Sequence, residues 1–472
     1  MRLLRYVCAG CCAMAAVAAL PAVSQSEEEA APLQLLLQPA AEPEAALTYR
    51  LLPPALDLRP GNAAVLYNKL AIEYPGKGAD RREVGQRMSD WLALPLAELP
   101  IDDVRAFLKS SRDLLDDLHM AARRRTCDWE LPLGERDYLS TSLPEVMPAR
   151  NFGQLLALEA QVQISEHRFD DALRTFQTGF ALARHVSLGS TLMHALVGNA
   201  ISGNMERVLI DWPTQPGSPN LYWALTALPR PLIDLRQTID TEGESLYWSF
   251  PELKNLESDS HSAKYWDDVL DRLLAFVAQV VDHPDNWEER LPLALLAVKE
   301  LPRAKAFLIG RGFLAERVQN MPVSQILLFH TVSIYKIERD RAFKRLCLPY
   351  HEVPADWRES ADLGLRPIIP VAMVLLPAVD TAQFGGAFHD RAIALLRIIE
   401  AIRAYGAFHG GELPDRLEEL NDLPIPTDPV TGGPFIYKRQ EDCAILETPP
   451  PRTEPEHEWR RRYELRFAKE TR

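Results

Sequence analysis

The sequence predicts a mainly α-helical protein: an irregular multi-helix domain followed by a small C-terminal α+β module. Three observations lead there. Apolar residues recur every three or four positions through much of residues 47–385. Prolines such as Pro213, Pro216, Pro219, Pro229, Pro231 and Pro251 punctuate that pattern, and helices end at or before such steps. Near residue 386 the composition changes. An amphipathic helix there ends at Gly410-Gly411, and three short strand-like segments follow.

Taken in order, the chain opens with Arg2 and Arg5, an apolar run from Val7 to Leu20, Pro21, and the small-x-small step Ala22-Val23-Ser24. That layout predicts a secretory signal peptide over residues 1–24 and a periplasmic or extracellular protein after cleavage near Ser24. The run is shorter than the roughly 20 residues that span a bilayer, so no transmembrane segment is expected once the leader is removed. Residues 25–46 are rich in Glu, Ala and Pro and predict a solvated acidic linker. Removing the leader leaves Cys127, Cys347 and Cys443, spaced too widely for a metal-binding pair. Three buried free thiols are expected, although an oxidising compartment would permit one disulfide.

The chain carries a formal charge of −14, which becomes −16 without the two leader arginines. Such a charge repels phosphate backbones and argues against nucleic-acid binding. The short runs Arg123-Arg124-Arg125 and Arg460-Arg461-Arg462 read as solvated faces.

Within the helical domain, Ile101, Val104, Phe107, Leu108, Leu114, Leu115 and Leu118 predict one helix over 101–125. Asp102 and Asp103 favour its start, where the helix dipole suits negative charge. Residues 151–187 predict a hairpin of two helices joined at Glu166-His167-Arg168. Small residues Ala160, Ala172 and Gly179 would let its backbones approach. Further helices are expected at 190–211, 232–247, 262–281, 288–300, 302–319 and 322–346. The apolar stretch 367–379 holds three prolines and reads as a buried core segment.

In the C-terminal module, Ile393, Leu396, Ile399, Ile402 and Tyr405 predict a helix over 389–408. A short helix from Leu413 to Leu420, a turn at Asp428–Gly433, and strands near Phe435–Tyr437, Cys443–Leu446 and Tyr463–Phe467 complete it.

Three resemblances add to this reading. The 151–187 hairpin resembles a single tetratricopeptide-like hairpin through Phe169, Ala172, Phe176 and Gly179. Arg184 stands where that family has proline, and no second copy follows about 34 residues on. The C-terminal stretch resembles the soluble part of the major pseudopilins of type II secretion, through His409, Gly410, Pro414, Leu417, Leu420, Asp428, Pro429, Gly432, Pro434 and Tyr437. This implies a local fold and not pilus assembly, because a large helical domain precedes the module. The whole chain resembles a group of uncharacterised exported helical proteins of planctomycete-type bacteria. Tyr49–Pro54, Arg59–Ala64, Cys127-Asp128-Trp129, Phe169–Val186 and Asn220–Leu225 carry that likeness. It implies export and helical architecture and supplies no catalytic residues.

The sequence contains no zinc-protease, serine-hydrolase, phosphate-loop or dinucleotide motif. Gly310-Arg311-Gly312 reads as a helix junction. His185 and His194 flank a five-residue turn and would suit acid–base or metal chemistry, but no carboxylate lies nearby in sequence, so capped or solvated histidines are expected. Cys127 lies near three arginines that would favour a thiolate, yet no histidine is placed as its base. Asp116-Asp117, Asp170-Asp171 and Asp267-Asp268 point about 100° apart on a helix and cannot share a proton. Asp422, Asp428 and Thr431 could offer oxygens to calcium, but an Asp-Pro turn explains them without metal. Three Tyr-Trp steps, Tyr222-Trp223, Tyr247-Trp248 and Tyr265-Trp266, are either a binding groove or core plugs.

The expectation is therefore a non-catalytic binding or assembly protein of the cell envelope, without cofactor or metal. A protein partner, glycan or peptide would meet the hairpin and the Tyr-Trp region. The rival is an envelope hydrolase in which His185, His194 or Cys127 converges with carboxylates in one cleft.

Overall fold

A computed structural model describes residues 31–73, 79–131, 146–257, 261–280, 287–354, 377–450 and 460–469, with 143, 357 and 371 between them. The leader lies outside the described residues, as does most of 367–379, although Val371 is buried. The described chain is mainly helical, with a small sheet at its C-terminal end. None of its helices is long and apolar enough to cross a membrane.

The first helices are α1 (Ala63–Glu73) and α2 (Ala79–Ala93). The single helix expected over 101–125 is two: α3 (Ile101–Ser110) and α4 (Arg112–Ala121). They break at Ser111, where φ is −105° and ψ is 15°. The break lets Val104 and Leu108 of one helix and Leu115 and Leu118 of the other bury in one core. The helix does not continue to residue 125. Arg124–Thr126 forms β3, paired in parallel with β2 (Arg59–Asn62). Non-local bonds override local propensity here. The Arg59 amide donates to the Arg123 carbonyl at 2.8 Å, and the Thr126 hydroxyl donates to the Gly61 carbonyl at 3.0 Å. Gly61 has φ +125°, and the Arg124 side chain lies about 3.3 Å from where a Cβ would stand, so glycine suits the position twice over.

The hairpin is present as α5 (Val146–Ser165) and α6 (Phe169–Ser187), and His167 turns the chain with φ +55°. A third helix, α7 (Leu192–Leu209), packs on both. The close approach is toward α7: a Cβ on Gly179 would meet Met205 Sδ at 2.1 Å, and one on Gly153 would meet Ile201 at 2.8 Å. Trp212 plugs the end of this bundle. It is fully buried and meets Phe169 and Phe176 edge-on at 5.1 and 6.2 Å.

After the short α8 (Tyr222–Thr226), a second core forms among α9 (Ile239–Ser249), α10 (Ala263–Val280), α11 (Trp287–Gly310), α12 (Ala315–Asn320) and α13 (Val323–Leu346). The sequence predicts a break at Pro302, but α11 runs through it. Leu301 packs against the core just before the proline, and Ala304 and Leu308 are buried beyond it, so packing holds both sides.

The third core belongs to the C-terminal module. α14 (Pro377–Phe408) begins twelve residues earlier than expected and serves two cores. Ile393 and Leu396 join the first core, and Leu395, Ile398, Ile399 and Ile402 join the third. The sheet runs in the order β1-β6-β5-β4. β4 (Ile436–Arg439) and β5 (Ala444–Glu447) form a hairpin, and β6 (Arg462–Phe467) lies antiparallel to β5. β1 is Leu33–Leu37, parallel to β6 with Leu35 opposite Leu465. Residues 33–37, read from composition as solvated linker, are therefore an edge strand. Leu35 and Leu37 are buried while Gln34 and Leu36 face out, the alternation a half-buried strand requires.

Ion pairs buried along α14 hold the module. Arg391 makes a two-pronged contact with Asp428, at 2.8 and 2.7 Å, with both side chains fully enclosed. Arg403 bonds Glu400 at 2.8 Å and donates to Ser218 and to the Gln38 carbonyl, which ties the segment after β1 to the helix.

Candidate functional site

A cleft of about 780 Å³ opens to solvent where three separate stretches of chain meet. Residues 48–59 contribute Tyr49, Arg50, Asp57 and Arg59. The end of α4 and β3 contribute Met120, Arg123 and Arg124. The first half of α6 contributes Asp170, Leu173, Arg174 and Gln177. The β2–β3 pairing fixes the first two stretches against each other. Gln177 Nε2 donates to the Arg50 carbonyl at 3.2 Å and ties in the third.

Five arginines against two aspartates make this cleft basic on a chain of charge −14. Arg123 is held rigidly, donating to the His119 carbonyl, Thr178 Oγ1 and Gln177 Oε1 at 3.0 to 3.2 Å. Burial lowers its pKa and the Arg174 charge lowers it further, with Asp57 acting in the opposite sense. Arg124 donates to the Pro60 carbonyl at 2.8 Å. Arg50, Arg59 and Arg174 are exposed. Among the described residues none of the five forms an ion pair. A guanidinium presents donors in a planar fork that matches carboxylate and phosphate oxygens. The arrangement is suited to holding anions.

The six Tyr-Trp residues are not in this cleft, and the fold does not bring them into one groove. Tyr222 is fully buried in the third core, where it donates to the Pro424 carbonyl and lies 5.3 Å beneath the Arg397 guanidinium. Trp223 packs edge-on against Tyr222 and donates to Glu42 at 2.8 Å. Tyr247 and Trp266 are buried in the second core, Tyr265 packs against it stacked on His261, and Trp248 is half-buried. Tyr222, Tyr247 and Trp266 thus serve as packing.

Cys127, His185 and His194 do converge, around Trp129. Trp129 Nε1 donates to the His185 carbonyl at 2.8 Å, and Cys127 Sγ contacts the same oxygen at 3.6 Å. The Tyr67 hydroxyl bonds His185 Nδ1 at 3.1 Å, and Trp129 lies between Tyr67 and His194. His194 is buried and bonds Thr191, which caps α7. Burial pushes the Cys127 thiol up to about 12 and, with Arg184 adding, His185 down to about 4. Near neutral pH the thiol therefore stays protonated and the imidazole neutral, the reverse of an activated thiolate–imidazolium pair.

A titratable cluster that the sequence reading missed joins α7 to α14. His389 Nδ1 bonds Glu206 Oε2 at 2.8 Å, and Ser202 donates to Glu206 Oε1 at 2.7 Å. Burial, with Glu206 adding, pushes the Asp390 carboxyl up to about 7. The adjoining cavity of about 40 Å³ has room for only a few waters. The residues are far apart in sequence, so no local motif announces them.

The remaining candidates resolve simply. Asp428 spends its oxygens on Arg391 and on the Val430 and Thr431 turn, which accounts for it without calcium. No cluster among the described residues could hold a metal. Asp116 and Asp171 pair with neighbouring arginines, and Asp267 and Asp268 are exposed. The three cysteines among the described residues are free, but only Cys443 is buried; Cys127 is half-buried and Cys347 exposed. Neither arginine run is a simple solvated face: Arg123 and Arg124 are half-buried in the cleft, and Arg461 lies 4.4 Å over the Phe388 ring. Comparison with protein-family models, curated proteins and solved structures returned no match.

Proposed function

We propose that this protein is a non-catalytic binding or assembly component of the cell envelope, exported by the leader pattern of residues 1–24. The cleft against α6 is its partner surface. That cleft carries the reading: it has the volume of a ligand-binding site and is lined chiefly by side chains that bind without reacting. It also lies on the hairpin that the sequence singles out. The C-terminal sheet, closed by β1 and clamped through α14, acts as a structural support for the helical domain. The hydrolase reading gains little from the Cys127–His185 cluster, because the Cys127 thiol meets the His185 carbonyl rather than its ring, and the ring Nδ1 is engaged by the Tyr67 hydroxyl.

The test is chemical crosslinking of the tagged protein in its native envelope, followed by mass spectrometry of co-purifying chains. A discrete partner linked through residues 48–59 or 169–177 is expected. Crosslinks confined to other faces would overturn the assignment of the cleft.

A further inference from the structure

Arginines that line a cleft without acidic partners repel one another: the pKa of Arg123 is lowered first by burial and then by the Arg174 charge. Several exposed arginines elsewhere on this chain pair with acids: Arg105 with Glu166 and Asp102, Arg168 with Glu166 and Asp171, Arg236 with Asp234. In the cleft Arg50, Arg59 and Arg174 are exposed without such pairs among the described residues, above Arg123 and Arg124 fixed on protein oxygens. Asp57 and Asp170 offset only part of that charge.

We propose that the cleft binds a compact ligand carrying two or more oxyanion groups, phosphate or carboxylate. Arg50, Arg59 and Arg174 make the direct contacts, and Arg123 and Arg124 supply a preorganised positive background. The inference rests on reading the cleft as the binding surface and names its ligand chemistry. Volume supports more than one group: about 780 Å³ lies within the range of sites that enclose whole small molecules. Fixed guanidinium groups reduce the ordering that binding must otherwise impose.

The experiment is calorimetric titration of the full chain with inorganic triphosphate and, separately, with citrate at low salt. Saturable single-site binding of at least one anion is expected, weakening as sodium chloride is raised. Arg59→Gln combined with Arg174→Gln should weaken it about tenfold or more. Both side chains are exposed, so an unchanged melting temperature confirms folding. Arg112→Gln with Arg416→Gln, outside the cleft, should leave affinity unchanged. Triphosphate alone binding identifies a phosphate ligand, citrate alone a carboxylate one, and both a site that reads charge. No saturable binding of either anion, or affinity indifferent to the cleft variant, overturns the proposal. Failure here with a partner still crosslinked at the cleft would leave the binding-component reading standing. Anion binding with every partner mapped elsewhere would sink that reading and keep this one.

Discussion

At the scale of single residues, burial sets the chemistry. Cys127 is partly enclosed and its thiol is pushed up to about 12, whereas Cys347 is exposed. A thiol reagent at pH 8 should therefore label Cys347 rapidly and leave Cys127 and Cys443 until the chain unfolds; rapid modification of Cys127 in the native state would contradict its placement. Asp390 gives a pH dependence of known sign. Its carboxyl is raised from 3.8 to about 7, so the folded state holds a proton that the unfolded state loses first. The stability this contributes is complete below about pH 4 and lost as pH rises through about 7. Replacing Asp390 with Asn should make the variant increasingly more stable than the wild type across that window, by up to about 4 kcal/mol. Urea melts of both proteins between pH 4 and 8 would show it, and parallel curves would refute it.

At the scale of elements, Asp428→Ala leaves the Arg391 guanidinium charged inside the module without its carboxylate and should cost about 3–5 kcal/mol. Removing both partners by Arg391→Met with Asp428→Leu should cost less, because no charge is stranded. Equal losses for the single and double variants in denaturant melts would show that the pair is not the cause. The strand β1 makes a sharper contrast. Leu37 is fully buried and Leu36 exposed, so Leu37→Ala should cost about 2–5 kcal/mol and Leu36→Ala about 0.5 kcal/mol or less. Similar losses from the two would mean that residues 33–37 are not paired as described.

These elements also show what was legible in the sequence. The hairpin at 151–187 was readable because its apolar spacing, its turn and its small residues are all local. The strand at 462–467 was readable from alternation, and those at 436–439 and 444–447 from short apolar runs set off by turn residues. β1 was not, because five leucine-rich residues are lost in an average over an acidic segment, and their partner lies more than 400 residues away. Helix 101–125 failed where the pairing of Arg124 with Arg59 took the chain into a strand. The cleft was half-visible: Arg123-Arg124-Arg125 was noticed, but Arg50, Arg59 and Arg174 join it only through tertiary contacts. The Tyr-Trp steps left groove and core both open, because bulky amphipathic side chains plug a helical core as well as they line a groove.

At the scale of the whole molecule, charge and topology act together. A chain of net negative charge carries a basic cleft, which focuses attraction for anionic partners there. Residues 33–37 and 463–467, far apart in sequence, meet in one sheet where β1 pairs with β6, so the module is tied to both the early and the late part of the described chain. The helical hairpin packs on α7 and through it on α14, and the first turns of α6 line the cleft. The most direct test of this account places a photoreactive amino acid at Met120, which is exposed at the cleft, and another at Met147, which is also exposed but lies outside it. Irradiation in the native envelope should give a discrete crosslinked species from position 120, suppressed by excess triphosphate or citrate, and none from position 147. Matching products from both positions, or none from 120, would contradict it.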